Sequence, residues 1–368
     1  MSVLVLCLLI AALLVIRVPV AFAFFGPCFL YMMTSDQSVG LALRLVSNST
    51  ASFPLLAVPL FILLGSIANQ AGIADRLFDF ALALLGRVRG SLGYVSVGVS
   101  LGFSWMSGSA VADAAALGKV EIPAMLRAGY SRPFALGVVG SSSLIAPVMP
   151  PSIPAVIYAG LAGISTGALF AASVVPAFLM AIGLCLVVFL WVRRMPDLPR
   201  TEFSWSRVAS TGRRVIAPLG APVIILGGIL GGFVTPTEAA AVGALYMLLL
   251  GFGLRTLHLR DLPKVFVEAA LTTGSIMLIV ASANLLGYVL ARERIPQEIS
   301  QWMLGLTSDP TVFLLLVFAL SMVLGTALDA IAVLTLTVPI LLPIAAQYDV
   351  DPIALGVLMI LSQMIGLL

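Results

Sequence analysis

Long, continuous apolar runs separated by short polar segments dominate this sequence. The principal runs are Phe53–Ile67, Leu169–Val192, Val215–Val234, Ala239–Leu254, Val265–Leu290 and Val312–Leu324. A helix that crosses a bilayer needs about 20 apolar residues, whereas a membrane β-barrel alternates apolar and polar positions in segments of about ten residues. The pattern therefore predicts helices, and we expect about nine to eleven membrane-embedded segments, some of them broken.

Composition also predicts an integral membrane protein. The 368 residues are 61% hydrophobic and 10% charged, with a mean hydropathy of +1.16, whereas soluble domains carry about 25% charged residues. The predicted fold class is therefore all-α, a polytopic helical bundle with membrane lipid as its surroundings.

Basic residues concentrate in two polar segments, near 193–214 and near 255–264. Cytoplasmic loops of membrane proteins carry an excess of Lys and Arg, so both segments are predicted to face the cytoplasm. Two apolar runs lie between them, which returns the chain to the same side. Because the segments are short and flanked by spans, we do not expect them to bind nucleic acid.

The polar linker around Met195–Gly212 separates two halves that resemble each other. The matched blocks, in the same order and at nearly constant spacing, are Gly108–Ala110 and Gly325–Ala327, Asp113 and Asp329, Pro123 and Pro343, and Pro133–Val138 and Pro352–Val357. Internal repeats are typical of secondary transporters, whose binding sites lie where broken helices of the two repeats meet. We expect the repeats to be inverted relative to each other.

The segment Ser107-Gly108-Ser109 lies inside an apolar stretch and is the first candidate site. Glycine and hydroxyl side chains are unfavourable in a helix interior, so the segment predicts a tight turn at the tip of a re-entrant hairpin. Its carbonyl and hydroxyl oxygens suit a hard cation such as Na+. The alternative is ordinary helix packing through small residues.

Prolines predict a helix interruption further along the first half. Pro147, Pro150 and Pro151 follow Ser141-Ser142-Ser143 in an apolar run, and proline removes a backbone donor and clashes with the preceding turn. Carbonyl groups before the interruption suit a cation, and amide groups after it suit a carboxylate. A simple loop at the membrane edge is the alternative.

Gly325-Thr326 and Asp329 repeat the first tip in the second half. An ionisable residue in an apolar stretch is a functional-site hypothesis, so Asp329 is predicted to neutralise a cation or to take part in proton coupling. A carboxylate that bonds amides at a helix start is the alternative. The repeat spacing carries Pro150 to a position just past Leu368, so we expect that the chain lacks a C-terminal segment.

Thr235-Pro236-Thr237-Glu238 predicts a structural cap, with Thr235 before the helix and Glu238 three residues later. The single histidine, His258, lies in a basic segment away from the serines, which argues against a Ser–His hydrolase. No Walker A motif occurs. We therefore expect neither an enzyme nor catalytic residues, and a purely structural scaffold would not need two costly helix breaks.

Several long motifs resemble the large membrane subunit of tripartite ATP-independent periplasmic (TRAP) transporters. They are Ser107–Gly118, Ile122-Pro123, Gly129-Tyr130, Pro150–Pro154 with Tyr158, Gly227-Gly228, Thr235–Ala239, Thr272–Ser275 and Gly325–Asp329. The resemblance implies an elevator-type ion transporter with two re-entrant hairpins and Na+ as the coupling ion, without an organic cofactor. It implies import of small organic anions such as C4-dicarboxylates, sialic acid or sugar acids across the bacterial inner membrane.

Partners, site residues and domains follow from the same resemblance. The partners are a small four-helix membrane subunit and a periplasmic solute-binding protein. One Na+ site would take Ser107, Gly108, Ser109 and Pro150, and the other Gly325, Thr326 and Gly366. The residues expected at the solute are Ser107, Ser109, Ser143, Pro151, Ser152, Thr326 and Asp329.

The expected domains are scaffold helices in 1–90, the first hairpin and broken helix in 91–166, scaffold and arm helices in 167–310, and the second hairpin with the start of a second broken helix in 311–368. A dicarboxylate/Na+ symporter that acts without a binding protein remains the alternative function.

Overall fold

Helices joined by short turns make up the computed structural model, which describes residues 3–35, 37–195, 198 and 203–368. In chain order the α-helices are α1 (Val3–Val15), α2 (Val20–Thr34), α3 (Val39–Thr50), α4 (Ala57–Gln70), α5 (Ile73–Leu85), α6 (Ser91–Ser107), α7 (Ala110–Arg127), α8 (Arg132–Ser143), α9 (Ile153–Ala162), α10 (Thr166–Val192), α11 (Trp205–Leu230), α12 (Pro236–Gly253), α13 (Leu262–Arg292), α14 (Ile295–Leu306), α15 (Pro310–Gly325), α16 (Ala330–Gln347) and α17 (Pro352–Gly366). Short 3-10 turns precede α4 and α13. Part of the predicted linker, including Arg200, lies outside the described residues.

Six helical segments of the described chain are long and apolar enough to cross a membrane: Phe53–Gln70, Thr166–Val192, Trp205–Leu230, Pro236–Gly253, Leu259–Arg292 and Ala330–Gln347. Shorter apolar helices are Leu4–Val15, Val20–Thr34, Ile153–Ala162, Pro310–Gly325 and Pro352–Gly366. Helix α10 exposes large apolar side chains such as Val175, Leu179 and Ile182, which suits contact with lipid. The predicted all-α, polytopic membrane class is confirmed. The expected count of about nine to eleven membrane-embedded segments is reached only if the shorter apolar helices are embedded as well.

Local signals in the sequence set where helices begin and end. Thr235 and Glu238 form the predicted capping box at the start of α12: the Thr235 hydroxyl accepts from the Glu238 N–H at 3.3 Å, and the Glu238 carboxylate accepts from the Thr235 N–H at 2.8 Å. At the start of α17 the Asp351 carboxylate accepts from the Ile353 N–H at 2.6 Å. Such bonds satisfy amides that have no partner inside a helix.

The helices group into two units. The central unit comprises Ala57–Ile153 and Phe170–Ala269 with Leu368, and the terminal unit comprises Met1–Leu56, Pro154–Leu169 and Ala270–Leu367. The first predicted hairpin belongs to the central unit and the second to the terminal unit. The domain boundaries implied by the family resemblance stay a prediction.

Aromatic and aliphatic side chains fill the core of each unit. In the central unit α4 packs against α12, α5 against α6, and α7 against α8, and Phe61 meets Phe170 edge-to-face with ring centroids 6.5 Å apart. In the terminal unit α1 packs against α2 and α15 against α17. A buried cluster there includes Phe24, Cys28 and Leu285.

Candidate functional site

The first predicted tip is a tight turn between α6 and α7. Gly108 follows α6 with φ of 58° and donates its N–H to the Ser104 carbonyl at 3.3 Å. Ser109 precedes α7, and its hydroxyl accepts from the Ala112 N–H at 3.4 Å. The left-handed backbone at Gly108 is readily adopted by glycine, so the sequence Ser-Gly-Ser ends one helix and starts the next.

The predicted interruption of the first broken helix is also present. Helix α8 ends at Ser143 and α9 begins at Ile153, and the residues between them form turns that are buried throughout. The Pro150–Pro151 peptide bond is cis, and the Ser152 hydroxyl donates to the Pro147 carbonyl. Burial within protein is the condition under which irregular backbone is tolerated in a membrane protein.

The tip and the interruption are in direct contact. The Ile153 N–H donates to the Gly108 carbonyl at 3.4 Å. A Cβ placed on Gly108 would lie 2.7 Å from the Pro151 carbonyl oxygen and 3.4 Å from the Cα of Ser152. Gly108 is therefore held against the segment that contains Pro151 and Ser152, with Ser107 and Ser109 beside it in the chain. Ser143 ends α8, where its hydroxyl donates to the Gly140 carbonyl at 2.7 Å.

A buried carboxyl group lies next to this tip. Asp113 in the first turn of α7 is 0% exposed, and its Oδ1 accepts from the hydroxyl of Ser107, which is 4% exposed. The Asp113 Oδ2 has no hydrogen-bond partner within the described residues. Buried polar atoms are normally satisfied, and an unpaired buried carboxylate is costly. An open oxygen at this position is what a bound cation would satisfy.

Sequence reasoning missed one residue that supports the tip. A Cβ on Gly65 of α4 would lie 3.2 Å from the Ser107 Cα and 3.4 Å from the Met106 carbonyl oxygen. The absence of a side chain at this glycine lets α4 approach the end of α6 closely. The available signal was a glycine inside a largely apolar helix, which marks close backbone approach only when the neighbour is known.

The second predicted tip joins α15 to α16 in the terminal unit. Gly325 ends α15, and the exposed Thr326 donates its hydroxyl to the Val323 carbonyl at 2.7 Å. The Asp329 carboxylate accepts from the Ile331 N–H at 3.0 Å and so caps α16. The predicted match between Asp329 and Asp113 is therefore wrong in helix position. Asp329 is an exposed cap of α16, in the same position that Ser109 holds at the start of α7. Asp113 instead lies buried inside α7.

Glycines also bring α17 against the second tip. A Cβ on Gly325 would lie 2.9 Å from the Gln363 carbonyl oxygen, and one on Gly366 would clash with the Met322 carbonyl oxygen. The side-chain amide of Gln363 and the hydroxyl of Ser321 are 0% exposed and lack hydrogen-bond partners in the described part of the chain. The structure thus brings Gly325 and Gly366 onto facing helices, as the second predicted site requires. Gln363 and Ser321 were not foreseen.

The described ranges contain no group of three or more His, Cys, Asp or Glu side chains that could hold a metal ion. The candidate cation sites consist instead of carbonyl and hydroxyl oxygens with one carboxyl group near each tip, Asp113 at the first and Asp329 at the second. Such hard oxygen ligands suit a hard cation.

The family comparison identifies this all-α, polytopic membrane bundle as a membrane permease and not an enzyme. The family profile described as "Tripartite ATP-independent periplasmic transporter, DctM component" matches residues 6–368. The chain belongs to this family, as its motifs predicted, and is therefore a TRAP transporter large permease.

Named relatives agree with this assignment. The sialic acid TRAP transporter large permease protein SiaM of Vibrio cholerae is 39% identical over 338 residues, which cover 92% of this chain and 79% of SiaM. The C4-dicarboxylate TRAP transporter large permease protein DctM of Pseudomonas aeruginosa is 37% identical over 347 residues, covering 93% of this chain and 80% of DctM.

A solved structure shows the same fold at lower sequence identity. The YdaH transporter of Alcanivorax borkumensis superposes with a TM-score of 0.60 at 15% identity, over 87% of this chain and 76% of YdaH. At that identity the match supports the fold alone.

Proposed function

We propose that this chain is the large membrane subunit of a Na+-coupled secondary transporter that imports small organic anions delivered by a periplasmic binding protein. The observation that carries the proposal is the contact of the Gly108 carbonyl with the Ile153 N–H, which joins a helical tip to a broken helix beside the buried Asp113.

The oxygen atoms at this contact suit a cation. Carbonyl and hydroxyl oxygens at Ser107, Gly108 and Ser109, with Asp113 behind them, offer ligands for Na+. The second Na+ site is proposed at Gly325, Thr326 and Gly366. Asp329 adds a negative charge near that tip.

The solute is proposed to be a carboxylate. A bare carboxylate costs too much to cross hydrocarbon alone, and bound Na+ supplies compensating charge. Amides at the start of a helix attract anions, and α9 begins at Ile153 beside Ser152 and Pro151. Relatives named for sialic acid and for C4-dicarboxylates both handle carboxylated compounds, which supports the same class here.

Coupling requires that Na+ and solute bind one conformation better than another. We propose an elevator-type cycle in the bacterial inner membrane, with a small four-helix subunit as a second membrane component. The basic loops near 193–214 and 255–264 are proposed to face the cytoplasm.

Reconstitution tests the proposal. The chain and a small TRAP subunit from the same genome are placed in proteoliposomes, and uptake of labelled sialic acid and of a labelled C4-dicarboxylate is followed under an inward Na+ gradient. We expect uptake of at least one compound only when a matching binding protein is added outside, and none when K+ replaces Na+. Uptake without any binding protein would support the symporter alternative. Uptake at the same rate with and without Na+ would contradict the proposed coupling of transport to Na+.

A further inference from the structure

A second buried carboxyl group lies further along α7, in a cluster that the proposed transport sites do not use. Glu121 is 0% exposed, and its Oε2 accepts from the hydroxyl of Ser96 in α6. The Ser142 hydroxyl of α8 lies 3.3 Å from the Ser96 hydroxyl, and the Ser100 hydroxyl donates to Ser142 at 2.9 Å. These four residues, each 0% exposed, form the serine–glutamate cluster of the central unit.

None of the three serine hydroxyls in this cluster donates its proton to Oε1 of Glu121. Ser96 donates to Glu121 Oε2, Ser100 donates to Ser142, and Ser142 donates to the Val139 carbonyl at 3.2 Å. Glu121 Oε1 accordingly has no hydrogen-bond partner in the described chain. Because a buried polar atom without a partner is rare and costly, this oxygen is the place where a further proton or ion would bind.

Among the described residues Glu121 has no ion-pair partner. The titratable or charged side chains on α7 and on the helices packed against it are Asp113, Lys119 and Arg127 of α7, Tyr94 of α6, Arg132 of α8, and Asp75, Arg76 and Asp79 of α5. Lys119, Arg127 and Arg132 are exposed, and Asp113, the other buried titratable group of α7, is itself acidic and offers no positive charge. An ionised Glu121 would be a buried charge without a counterion, which is strongly unfavourable.

We propose that Glu121 is a proton-binding site of the permease, with the proton carried on Oε1. The proton comes from water, binds the carboxylate to give the neutral acid in the conformation described here, and returns to water when another conformation opens the cluster. A proton suits this place better than Na+, because it needs only the open Oε1 of Glu121, whereas a metal ion needs several oxygens directed at one point. The effect of the proton on solute uptake rests on the proposed transport function, whereas the existence of the site does not.

Infrared spectroscopy of the purified protein in lipid nanodiscs tests the site without any solute. We expect that the wild type shows a protonated-carboxyl absorption at neutral pH that is missing from Glu121→Gln, and that this absorption is lost reversibly at alkaline pH. The matched control Glu298→Gln removes an exposed glutamate on α14 and should leave the absorption unchanged. Identical protonated-carboxyl absorption in wild type and Glu121→Gln would overturn the proposal.

A second variant keeps the test decisive if Glu121→Gln does not fold. Ser96→Ala removes the hydroxyl that donates to Glu121, so the absorption should move to the frequency of a less hydrogen-bonded carboxyl. An unmoved absorption would place the protonated carboxyl elsewhere and overturn the assignment. A carboxyl that is ionised at neutral pH and whose absorption responds to Na+ would also overturn it, in favour of a Na+ site.

Uptake measurements then test the role of the site. A pH step across the proteoliposome membrane at constant Na+ gradient should change the initial uptake rate of the wild type and of Glu298→Gln, and the response should be lost in Glu121→Gln. An unchanged pH response in Glu121→Gln would overturn the transport role. If the wild type transports nothing, the proposed function fails, while the infrared result still decides whether Glu121 binds a proton.

Discussion

The carbonyl oxygen of Gly108 accepts a hydrogen bond from the N–H of Ile153 at 3.4 Å. This bond links the turn between α6 and α7 to the first residue of α9, two features that the sequence predicted separately. It places the tip, with its hydroxyl groups, against the segment in which prolines interrupt a helix. The first candidate cation site depends on this contact.

Replacing Gly108 by alanine should damage both stability and Na+-dependent uptake. The left-handed backbone costs a residue with a Cβ about 1–2 kcal/mol, and overlap with the Pro151 carbonyl, 2.7 Å from the added Cβ, adds about 1–3 kcal/mol. We expect a lower midpoint of thermal unfolding in detergent and loss of Na+-driven uptake in proteoliposomes.

Two glycines serve as controls for this substitution. Gly129 shares the left-handed backbone, with φ of 85°, but has open space around a Cβ, and Gly98 has open space within α6 itself. Gly129→Ala should show only the backbone cost, and Gly98→Ala should resemble the wild type. Equal behaviour of Gly108→Ala and Gly129→Ala would show that the contact with Pro151 is unimportant.

Ser107→Ala should weaken the response to Na+. The substitution removes the hydroxyl that donates to Asp113 and leaves both oxygens of a buried carboxyl group without partners, which costs about 1–3 kcal/mol. We expect a lower unfolding midpoint and a higher Na+ concentration for half-maximal uptake, by about tenfold for each 1.4 kcal/mol lost from Na+ binding.

The neighbouring Ser104 provides the matched control. Its hydroxyl donates to the Leu101 carbonyl of its own helix at 2.7 Å and has no link to Asp113 in the described structure. Ser104→Ala should therefore keep the Na+ dependence of the wild type. A Ser107→Ala variant with normal Na+ dependence would remove this residue from the proposed site.

The local backbone of the first candidate site could be predicted from residue types whose local effect is strong. Glycine between two serines and adjacent prolines disrupt helices wherever they occur, so the turn at Gly108 and the gap between Ser143 and Ile153 followed from the sequence. The contact between them depends on how separate helices pack, and sequence spacing does not encode that. Gly65, which lets α4 approach Ser107, and the unpartnered amide of Gln363 were missed for the same reason.

The internal repeat predicts where helices and turns recur, but not which side chains are buried. It pointed to the turn between α15 and α16, whereas the pairing of Gly325 with Gly366 as a cation site came from the family resemblance and stays a prediction. It failed for Asp113 and Asp329, because a shift of a few residues along a helix start separates an exposed cap from a buried side chain. Apolar repeats specify helices more reliably than they specify which face a single carboxyl group occupies.

Asp329→Asn and Asp329→Ala separate the capping role of this residue from a role for its charge. Asparagine caps helices about as well as aspartate, whereas alanine costs about 0.5–2 kcal/mol. If the charge matters for Na+, as we expect from its position beside Thr326, both variants should need more Na+ for half-maximal uptake, and only Asp329→Ala should lower the unfolding midpoint.

Asp309 is the control for these two variants, because it caps α15 in the same way and accepts from the Thr311 N–H at 2.7 Å. Asp309→Ala should lower the unfolding midpoint without changing the Na+ dependence of uptake. Normal Na+ dependence in Asp329→Asn would leave Asp329 as a structural cap only.

Close packing of α15 on α17 should make Gly366 as sensitive as Gly108. An added Cβ would clash with the Met322 carbonyl oxygen, and neither backbone can yield without separating the two helices. We expect Gly366→Ala to lower the unfolding midpoint, corresponding to about 1–3 kcal/mol of overpacking, and to abolish Na+-driven uptake. Gly305→Ala in α14, where a Cβ has open space, should match the wild type in both measurements. A Gly366→Ala protein that melts and transports normally would show that α15 and α17 do not meet at this glycine, and the second proposed Na+ site would then lose its geometric basis.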